Sequence, residues 1–474
     1  MSSTRNTVDV SAIIERQKLG GFLICLVAIS WIITFFDGLD ANLVTFAAPY
    51  FRSEYGLTTI QTGNIFGMHQ LGTLIGGFLL GFLGDRIGRR PTVILATAAF
   101  GALTMCFYFT SSYGTLFWLR LIDGIPLGGM LPLAWALNIE YAPKRYRATI
   151  VTVIMVGYSL GTALGGPFAN WLIPKLGWKS VFICGGIAAL ASALILFALL
   201  PESIRFLATM GKRPDRIVAM LRRVAPGQAF SPDANFVVGD ELSSSKDFKP
   251  SLLFKGELRT ITPLIWTAYI ASSFAVFFIV NWTPLVFEAL HYARAQAATA
   301  ATTNSIMGAI GGILLMRFTD AKGAIAITLM PAMTCGLLLI AAFTPMSQGA
   351  FLLLSAMIGG FLIGGHFGMH SISGIFYPTA YRGNGASWAT SIAKIGSIAG
   401  PMVGGWVLAT TLPVKHIFAL LAIFPAIFAV CIYLVGKAQS RMLGREAIAL
   451  EADVFRRPAE PLPAARRASG SSAP

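Results

Sequence analysis

Charged residues are scarce in this chain of 474 residues. Asp, Glu, Lys and Arg together make up 12% of the sequence, whereas hydrophobic residues make up 55%. Soluble domains carry about 25% charged residues. The scarcity of charge in so long a chain excludes an ordinary soluble domain and indicates a protein that crosses a membrane many times.

Cysteine is scarce as well, and its spacing indicates no redox or metal chemistry. The cysteines stand one by one in apolar runs, at Cys25, Cys106, Cys184, Cys335 and Cys431. None has the CxxC or metal-ligand spacing of a functional site. We therefore expect small packing residues and no bound metal.

Motifs for nucleotide use and for hydrolysis are missing too. The sequence has no GxxxxGKS or GxxxxGKT loop for phosphate binding and no HExxH pair. It offers no Ser, His and Asp set for nucleophilic catalysis. The sequence therefore predicts neither an ATP-driven pump nor an enzyme, and no cofactor.

Long, continuous apolar runs are what the chain does contain. A helix needs about 20 apolar residues to cross the hydrocarbon core, and about twelve such runs are present. They lie near residues 22–48, 62–84, 92–110, 114–138, 148–173, 179–200, 260–287, 298–318, 324–343, 349–376, 385–409 and 414–436. The prediction is an all-α membrane protein of about twelve transmembrane helices.

The net charge of +15 is distributed unevenly. With the N-terminus placed inside, the outer loops hold only Arg52, Lys175, Lys179, Arg294 and Lys415, whereas the inner segments hold nearly all other basic residues. This pattern predicts two cytoplasmic termini in a cell membrane, which is the inner membrane if the source is a Gram-negative bacterium. We expect the basic excess to face anionic lipid and expect no binding to nucleic acid.

The hydrophobic pattern divides the chain into five segments. They are a cytoplasmic tail (1–19), a first six-helix bundle (20–200), a cytoplasmic linker (201–259), a second six-helix bundle (260–436) and a disordered cytoplasmic tail (437–474). The first tail lacks the cleavage site of a signal peptide, so we expect it to be retained. Within the linker, residues 204–224 predict a basic amphipathic helix at the inner membrane surface, followed by a flexible tether.

The two bundles resemble each other in sequence. "GGFLLGFLGDRIG" at 76–88 matches "GGILLMRFTDAKG" at 311–323. Two further matches keep the same offset: Tyr146-Arg147 pairs with Tyr381-Arg382, and Gly161 and Gly165 pair with Gly396 and Gly400. Two pseudo-symmetric bundles with a substrate site between them, near the membrane midplane, are typical of secondary transporters.

The repeat also shows where the bundles differ. Asp37 corresponds to Ser272, Arg120 corresponds to Ser355, and Lys394 corresponds to Ser159. A charge needed only for the fold would be expected in both copies. Since each of these charges occurs in one copy, we interpret them as functional.

Several motifs together resemble the major facilitator superfamily. "GDRIGRRP" (84–91) is similar to that family's loop between helices 2 and 3, and "PESIRFL" (201–207) resembles its signature after helix 6. "DGLD" in the first span, "YPTAYRGNG" (377–385) and "SIAKIGSIAGP" (391–401) resemble the aromatic acid:proton symporter group. The resemblance implies a monomeric carrier that imports a benzoate-type acid with protons by alternating access. A carrier of another organic anion, such as a dicarboxylate, is the alternative, and a non-transporting membrane sensor is a more distant one.

Asp37, Asp40 and Arg120 are the predicted proton-coupling residues. A charged side chain in the bilayer usually faces a cavity or a partner, and Asp37 and Arg120 lie at similar predicted depths. Burial disfavours the charged form of a carboxylate and a nearby guanidinium favours it, so a carboxylate with a movable partner can act as a proton switch. Two structural alternatives remain: an aspartate that only neutralises Arg120, and a local ion pair between Arg120 and Asp123.

Lys394 is the predicted site for the substrate carboxylate, because it is a lone cation near the bilayer centre. The symporter group commonly has arginine there, and lysine lacks the planar fork that binds a carboxylate through two bonds. Further candidates for lining the site are His366, His370, His69, Gln70, Trp135, Tyr158 and Trp388. Each of them could equally be an ordinary core or lipid-facing residue.

The inner loops carry a predicted conformational latch. By the resemblance, Asp85 would pair with Arg147 and hold the outward-open state. The predicted latch residues are Asp85, Arg86, Arg89, Arg90, Glu140, Arg147 and Arg382. The alternative is a basic cluster that only sets the topology.

Overall fold

The computed structural model describes residues 7–238, 249–377 and 382–454. Five single positions inside these ranges are excepted: Lys18, Lys212, Ala229, Glu257 and Gly323. Side chains are described for the same residues, apart from Ala41, Lys144, Ala148 and residues 316–326, 370–376, 382–383 and 439–454.

Helices make up almost all of the described chain. A short strand and helix come first: β1 (Thr7–Asp9) and α1 (Val10–Arg16). The first bundle consists of α2 (Gly21–Glu54), α3 (Thr59–Ile87), α4 (Arg89–Cys106), α5 (Tyr113–Tyr141), α6 (Lys144–Leu176) and α7 (Lys179–Leu199). The linker contains α8 (Ile204–Thr209), α9 (Pro214–Val224), β2 (Asn235–Val237) and a 3-10 turn (Pro250–Phe254). The second bundle consists of α10 (Leu258–Ala289), α11 (Arg294–Lys322), α12 (Ala324–Phe343), α13 (Gln348–Phe376), α14 (Arg382–Leu408), α15 (Val414–Leu421) and α16 (Ile423–Val454).

The described residues include 11 helices long and apolar enough to cross a membrane. A shorter apolar helix, Ile327–Phe343, stands at the place of the ninth predicted span. The predicted all-α membrane fold is confirmed, and the protein is a multi-pass membrane protein.

Local sequence signals explain where the helices of the first bundle begin and end. At the start of α3, the Thr58 hydroxyl accepts a hydrogen bond from the Gln61 backbone N–H, while the Gln61 side chain accepts one from Thr58, a reciprocal cap. Between α3 and α4, Gly88 has φ of +106°, a conformation that residues with a side chain rarely adopt. The chain therefore reverses direction at "GDRIGRRP" within a single residue.

The internal repeat is visible in the packing of the helices. A Cβ atom added at Gly161 of α6 would lie 2.0 Å from the carbonyl oxygen of Phe35 on α2. A Cβ atom added at Gly396 of α14 would lie 2.1 Å from the carbonyl oxygen of Ile270 on α10. Both contact pairs obey the offset that relates the two sequence copies, so the bundles repeat a close helix–helix approach that only small residues permit.

Contacts between the bundles close the end of the molecule that lies opposite α1 and α8. Gly63, near the start of α3, packs against the Pro401 carbonyl and Gly405 of α14. At the same end, Gly166 of α6 packs against Thr302 of α11. Any Cβ at these glycines would overlap the opposite bundle, so the two bundles are pressed together at this end.

The predicted surface helix at 204–224 is wrong in two respects. The segment forms two helices, α8 and α9, because the chain turns at Arg213, whose φ is +58°. The apolar face of α9, which includes Ile217 and Leu221, is buried in a core cluster with Ile14 of α1. The amphipathic pattern was real, but protein rather than lipid covers its apolar face.

Part of the N-terminal tail and part of the linker also fold together. Strand β1 pairs in parallel with β2, with Val8 opposite Phe236. The segment expected to be a flexible tether therefore contains a strand paired with the tail. The segment expected to be a disordered tail begins inside α16, which continues to Val454, while residues 455–474 lie outside the described residues.

Candidate transport site

Charged side chains of α2 and α5 meet inside the first bundle. Asp40 is 2% exposed, Arg120 is 2% exposed and Asp123 is 0% exposed. Nη1 of Arg120 lies 2.9 Å from Oδ2 of Asp123 and 3.8 Å from Oδ2 of Asp40. The ring of Phe107 lies beneath the guanidinium, 5.6 Å from it. The predicted local pair between Arg120 and Asp123 is therefore present, and the same nitrogen also faces Asp40.

Lys394 brings a second cation to this cluster from the other bundle. Its Nζ donates a hydrogen bond of 3.0 Å to Oγ1 of Thr73 on α3. It is also close enough to attract the carboxylate of Asp37, which is 6% exposed. Lys394 thus joins α14 to two helices of the first bundle.

Thr73 is a site residue that the sequence analysis missed. Its hydroxyl accepts from Lys394 and donates a hydrogen bond of 2.8 Å to the Gln70 carbonyl oxygen. A usable signal existed, because residues 69, 70 and 73 lie on one face of a helix. That face of α3 packs toward α5 and α14.

His69 is held beside Asp123 by a close contact between two backbones. A Cβ atom added at Gly124 of α5 would lie 2.3 Å from the His69 carbonyl oxygen. The imidazole Nδ1 lies 3.7 Å from Oδ2 of Asp123, and both side chains are buried. This distance is too long for a hydrogen bond but short for an electrostatic interaction.

Gly38 positions the Asp37 and Asp40 pair in the same way. A Cβ atom added at Gly38 would lie 2.1 Å from the Tyr158 carbonyl oxygen, so α2 and α6 touch through their backbones. Tyr158 is close enough to interact electrostatically with both aspartates. The glycine in "DGLD" therefore allows α6 to bring Tyr158 near both aspartates.

The second bundle places neutral groups where the first has charges. By the offset of the repeat, Asn304 and Ser355 are the counterparts of His69 and Arg120. The Ser355 hydroxyl lies 3.2 Å from the side-chain amide of Asn304, so two neutral groups contact each other at these positions of the second bundle.

Ser272, the counterpart of Asp37, is also hydrogen-bonded. Its hydroxyl lies 2.7 Å from Nδ1 of His366 on α13. The structure thus places the His366 side chain of α13 against α10. The side chain of His370 lies outside the described residues.

Comparison with known proteins identifies the family to which this buried cluster belongs. The sequence model of the Major Facilitator Superfamily matches residues 30–375. The chain belongs to the Major Facilitator Superfamily. This membership confirms the predicted family and the two-bundle helical fold. It also confirms the prediction of a transporter rather than an enzyme.

Relatives with assigned names align with this facilitator over most of their length. It is 28% identical over 442 residues to the gallate transporter of Pseudomonas putida, covering 93% of this chain and 97% of that protein. It is 28% identical over 435 residues to the 4-hydroxybenzoate transporter PcaK of Acinetobacter baylyi, covering 91% of this chain and 95% of that protein. It is 25% identical over 440 residues to the benzoate transport protein of the same species, covering 90% and 93%.

Solved structures of facilitators share the fold. The xylose transporter XylE of Escherichia coli, in a partially occluded inward-open conformation, superposes with a TM-score of 0.66 at 18% identity. The match covers 87% of this chain and 98% of that one. A bacterial homologue of the human lysosomal transporter Spinster gives the same TM-score at 16% identity. That match covers 89% of this chain and 98% of the homologue.

The predicted latch residues of this facilitator take part in an ion-pair network at the ends of α3 and α5. Asp85, with its side chain 75% exposed, pairs with Arg89 at 3.2 Å. Arg89 also pairs with Glu140 at 3.1 Å, and Nε of Arg147 donates a hydrogen bond of 3.0 Å to the Ala142 carbonyl oxygen. The pairing of Asp85 with Arg147 was predicted for the outward-open state and stays a prediction.

The two family motifs meet at this network. The Arg90 backbone N–H donates a hydrogen bond of 3.2 Å to the Glu202 carboxylate. The Ser203 hydroxyl donates a hydrogen bond to the Glu140 carboxylate. "GDRIGRRP" and "PESIRFL" thus brace the inner end of the first bundle together. The guanidinium of Arg86 lies over the ring of Phe82, and the side chain of Arg382 lies outside the described residues.

The remaining aromatic candidates lie in apolar surroundings. Trp135 packs against the core cluster at the inner end of the first bundle. Trp388 is 40% exposed and stacks on Trp266 of α10, with ring centroids 6.2 Å apart. Of the three predicted aromatic residues, Tyr158 is the one that the structure places beside the charge cluster.

Proposed function

We propose that this facilitator imports a small aromatic carboxylate together with protons, by alternating access. The observation that carries the proposal is the hydrogen bond from Lys394 to Thr73 across the interface between the bundles, within the electrostatic reach of Asp37. A carrier that rocks its two bundles must break or remake contacts at this interface. A charge pair placed there can therefore couple binding to movement.

The chemical class of the substrate follows from the cation and from the relatives. The half-buried ammonium of Lys394 attracts a negative charge, and the carboxylate that interacts with it in this site is that of Asp37. A substrate carboxylate can take the place of Asp37. The relatives are named for gallate, 4-hydroxybenzoate and benzoate, which all carry one carboxylate on an aromatic ring.

Proton coupling arises from competition for Lys394. While Asp37 is ionised, it attracts Lys394 and opposes the binding of a second anion. When Asp37 takes up a proton, its charge disappears and Lys394 becomes available to the substrate carboxylate. Release of the proton inside restores the pair and expels the substrate, with Asp40 assisting through its own charge on Asp37.

The orientation of this cycle rests on the charge pattern of the loops. Basic residues concentrate on the side that also carries α1, α8 and α9, so we place this side and both termini in the cytoplasm. The outer side of the molecule is then the side sealed by Gly63 and Gly166. We place the protein in the cell membrane, the inner one in a Gram-negative bacterium, and expect a monomer.

The proposal is tested by uptake into proteoliposomes. Radiolabelled benzoate, 4-hydroxybenzoate, gallate and succinate would be offered with an inward proton gradient, with and without a protonophore. We expect accumulation of aromatic monocarboxylates that the protonophore abolishes. Uptake of succinate in place of the aromatic acids would support a dicarboxylate carrier, and gradient-independent flux of all four would contradict symport.

Lys394→Ala provides the matched test of the binding site. Removing the only predicted substrate cation should raise the apparent KM at least tenfold or abolish uptake. The control is Lys415→Ala, which removes an exposed lysine at the start of α15 and should leave the kinetics unchanged. Wild-type KM in Lys394→Ala would refute the assignment.

A further inference from the structure

We propose that Asp123 is a positioning residue that holds Arg120 away from Asp40 and so leaves Asp40 able to bind a proton. The inference rests on the proposed function and adds a third carboxylate to its coupling machinery. The sequence analysis considered Asp123 only as a local partner of Arg120.

The geometry shows one guanidinium nitrogen shared unequally between two carboxylates. Nη1 of Arg120 is within hydrogen-bond distance of Asp123, at 2.9 Å, but 3.8 Å from Asp40. Asp123 and Arg120 lie on the same helix, one turn apart, whereas Asp40 approaches from α2. The pair on α5 is therefore fixed within one helix, whereas the distance from Arg120 to Asp40 depends on how α2 packs against α5.

Hydrogen bonding within the described residues is incomplete at this place. Both carboxylate oxygens of Asp40 are buried without a hydrogen-bond partner, and so are Oδ1 of Asp123, Nε of Arg120 and Nδ1 of His69. A buried ionised carboxylate without a partner is costly. The least costly change at Asp40 is the uptake of a proton.

The count of charges around Asp40 leads to the same conclusion. The groups that interact with Asp40 are Asp37 from α2, Arg120 and Asp123 from α5 and Tyr158 from α6, while Lys394 from α14 interacts with Asp37 and His69 from α3 lies beside Asp123. With every carboxylate ionised, three negative charges face two positive ones. Since Lys394 attracts Asp37 and Arg120 bonds to Asp123, the unmatched charge falls on Asp40.

The repeat argues against a purely structural role for Asp123. Its counterpart at the same offset in the second bundle is the apolar Ile358. Helix α13 thus occupies the position equivalent to α5 without any charge there. The fold does not require a carboxylate at this position.

The test is the pH dependence of uptake by Asp123→Asn. Without its partner on α5, Arg120 is free to pair with Asp40, and a neighbouring guanidinium favours the ionised form of a carboxylate. We expect the pH of half-maximal proton-driven uptake to fall by about one unit, with substrate counterflow retained. Asp123→Glu keeps the charge and should restore the wild-type profile, and Asp215→Asn on the exposed face of α9 is the matched control.

The outcomes separate this inference from the proposed function. Failure of the wild-type protein to take up any aromatic acid with protons would contradict the proposed function itself. Normal uptake with an unshifted profile in Asp123→Asn would contradict only the role of Asp123.

A second variant covers the case in which Asp123→Asn does not fold. Asp40→Asn leaves the Arg120–Asp123 pair intact and removes only the carboxylate that this pair leaves unmatched. We expect the pH dependence of uptake to become shallower, because Asp37 then titrates without Asp40, while counterflow continues. A wild-type pH profile in Asp40→Asn would show that Asp40 binds no coupled proton, and it would overturn the inference.

Discussion

At the scale of single residues, the chemistry depends on charges that face each other within a few ångströms. The distances around Arg120 and Lys394 are those of charge-assisted hydrogen bonds, which are stronger than neutral ones. Because these groups are buried, any change in one charge alters the free energy of the others. The site therefore acts as a unit rather than as separate residues.

Asp37→Asn is the sharpest test at this scale. The amide is close to the carboxylate in size but cannot bind or release a proton, and it no longer attracts Lys394. We expect proton-driven accumulation to be lost, while exchange of labelled for unlabelled substrate across the membrane continues. Both are measured in the same proteoliposomes, and full accumulation by Asp37→Asn would rule out its role as the main proton carrier.

At the scale of helices, glycine contacts set the distances between the charged groups. Gly38 brings α2 against α6, and Gly124 brings α5 against α3. Each of these glycines is next to an aspartate of the cluster. The helix packing and the site geometry are therefore determined by the same residues.

Gly38→Ala should separate α2 from α6 and displace Asp37. The new methyl group would lie 2.1 Å from the Tyr158 carbonyl oxygen, and overpacking of this kind costs about 1–3 kcal/mol. We expect a lower melting temperature in detergent and slower uptake.

Gly336→Ala in α12 is the matched control for that substitution. A Cβ atom at Gly336 meets no atom within 4 Å, so its melting temperature should not fall. Equal stability of the two variants would show that the contact between α2 and α6 is not tight.

At the scale of the whole molecule, the two bundles are in contact at the end that we assign to the outer side. Transport requires this seal to open and the site to face the other side. The close packing of Gly166 on Thr302 joins α6 to α11 at the seal. A covalent link at this place should therefore stop the cycle.

The double substitution Gly166→Cys and Thr302→Cys tests this expectation. In a background without the native cysteines, mild oxidation should form a disulfide because the two Cβ positions are close. Uptake should stop on oxidation and return on reduction, while each single variant stays insensitive to oxidant. Continued uptake by the fully cross-linked protein would show that the outer seal does not open during transport.

The sequence alone determined the class of protein and most of the members of the site. Long apolar runs have one stable outcome, which is a set of membrane helices, because lipid offers no other partner for backbone hydrogen bonds. Charged residues in such runs are costly, so Asp37, Asp40, Arg120 and Lys394 stand out by their position in the sequence. The internal repeat then predicted two bundles.

Only the tertiary structure decided which groups are partners. Arg120 lies beside both Asp40 and Asp123, Lys394 bonds to the unpredicted Thr73, and Asp85 pairs with Arg89. It also showed that protein covers the apolar face of α9. The physical reason is the same throughout: sequence spacing records which residues share one face of one helix, whereas pairing between helices depends on their backbone distances, rotations and reversals.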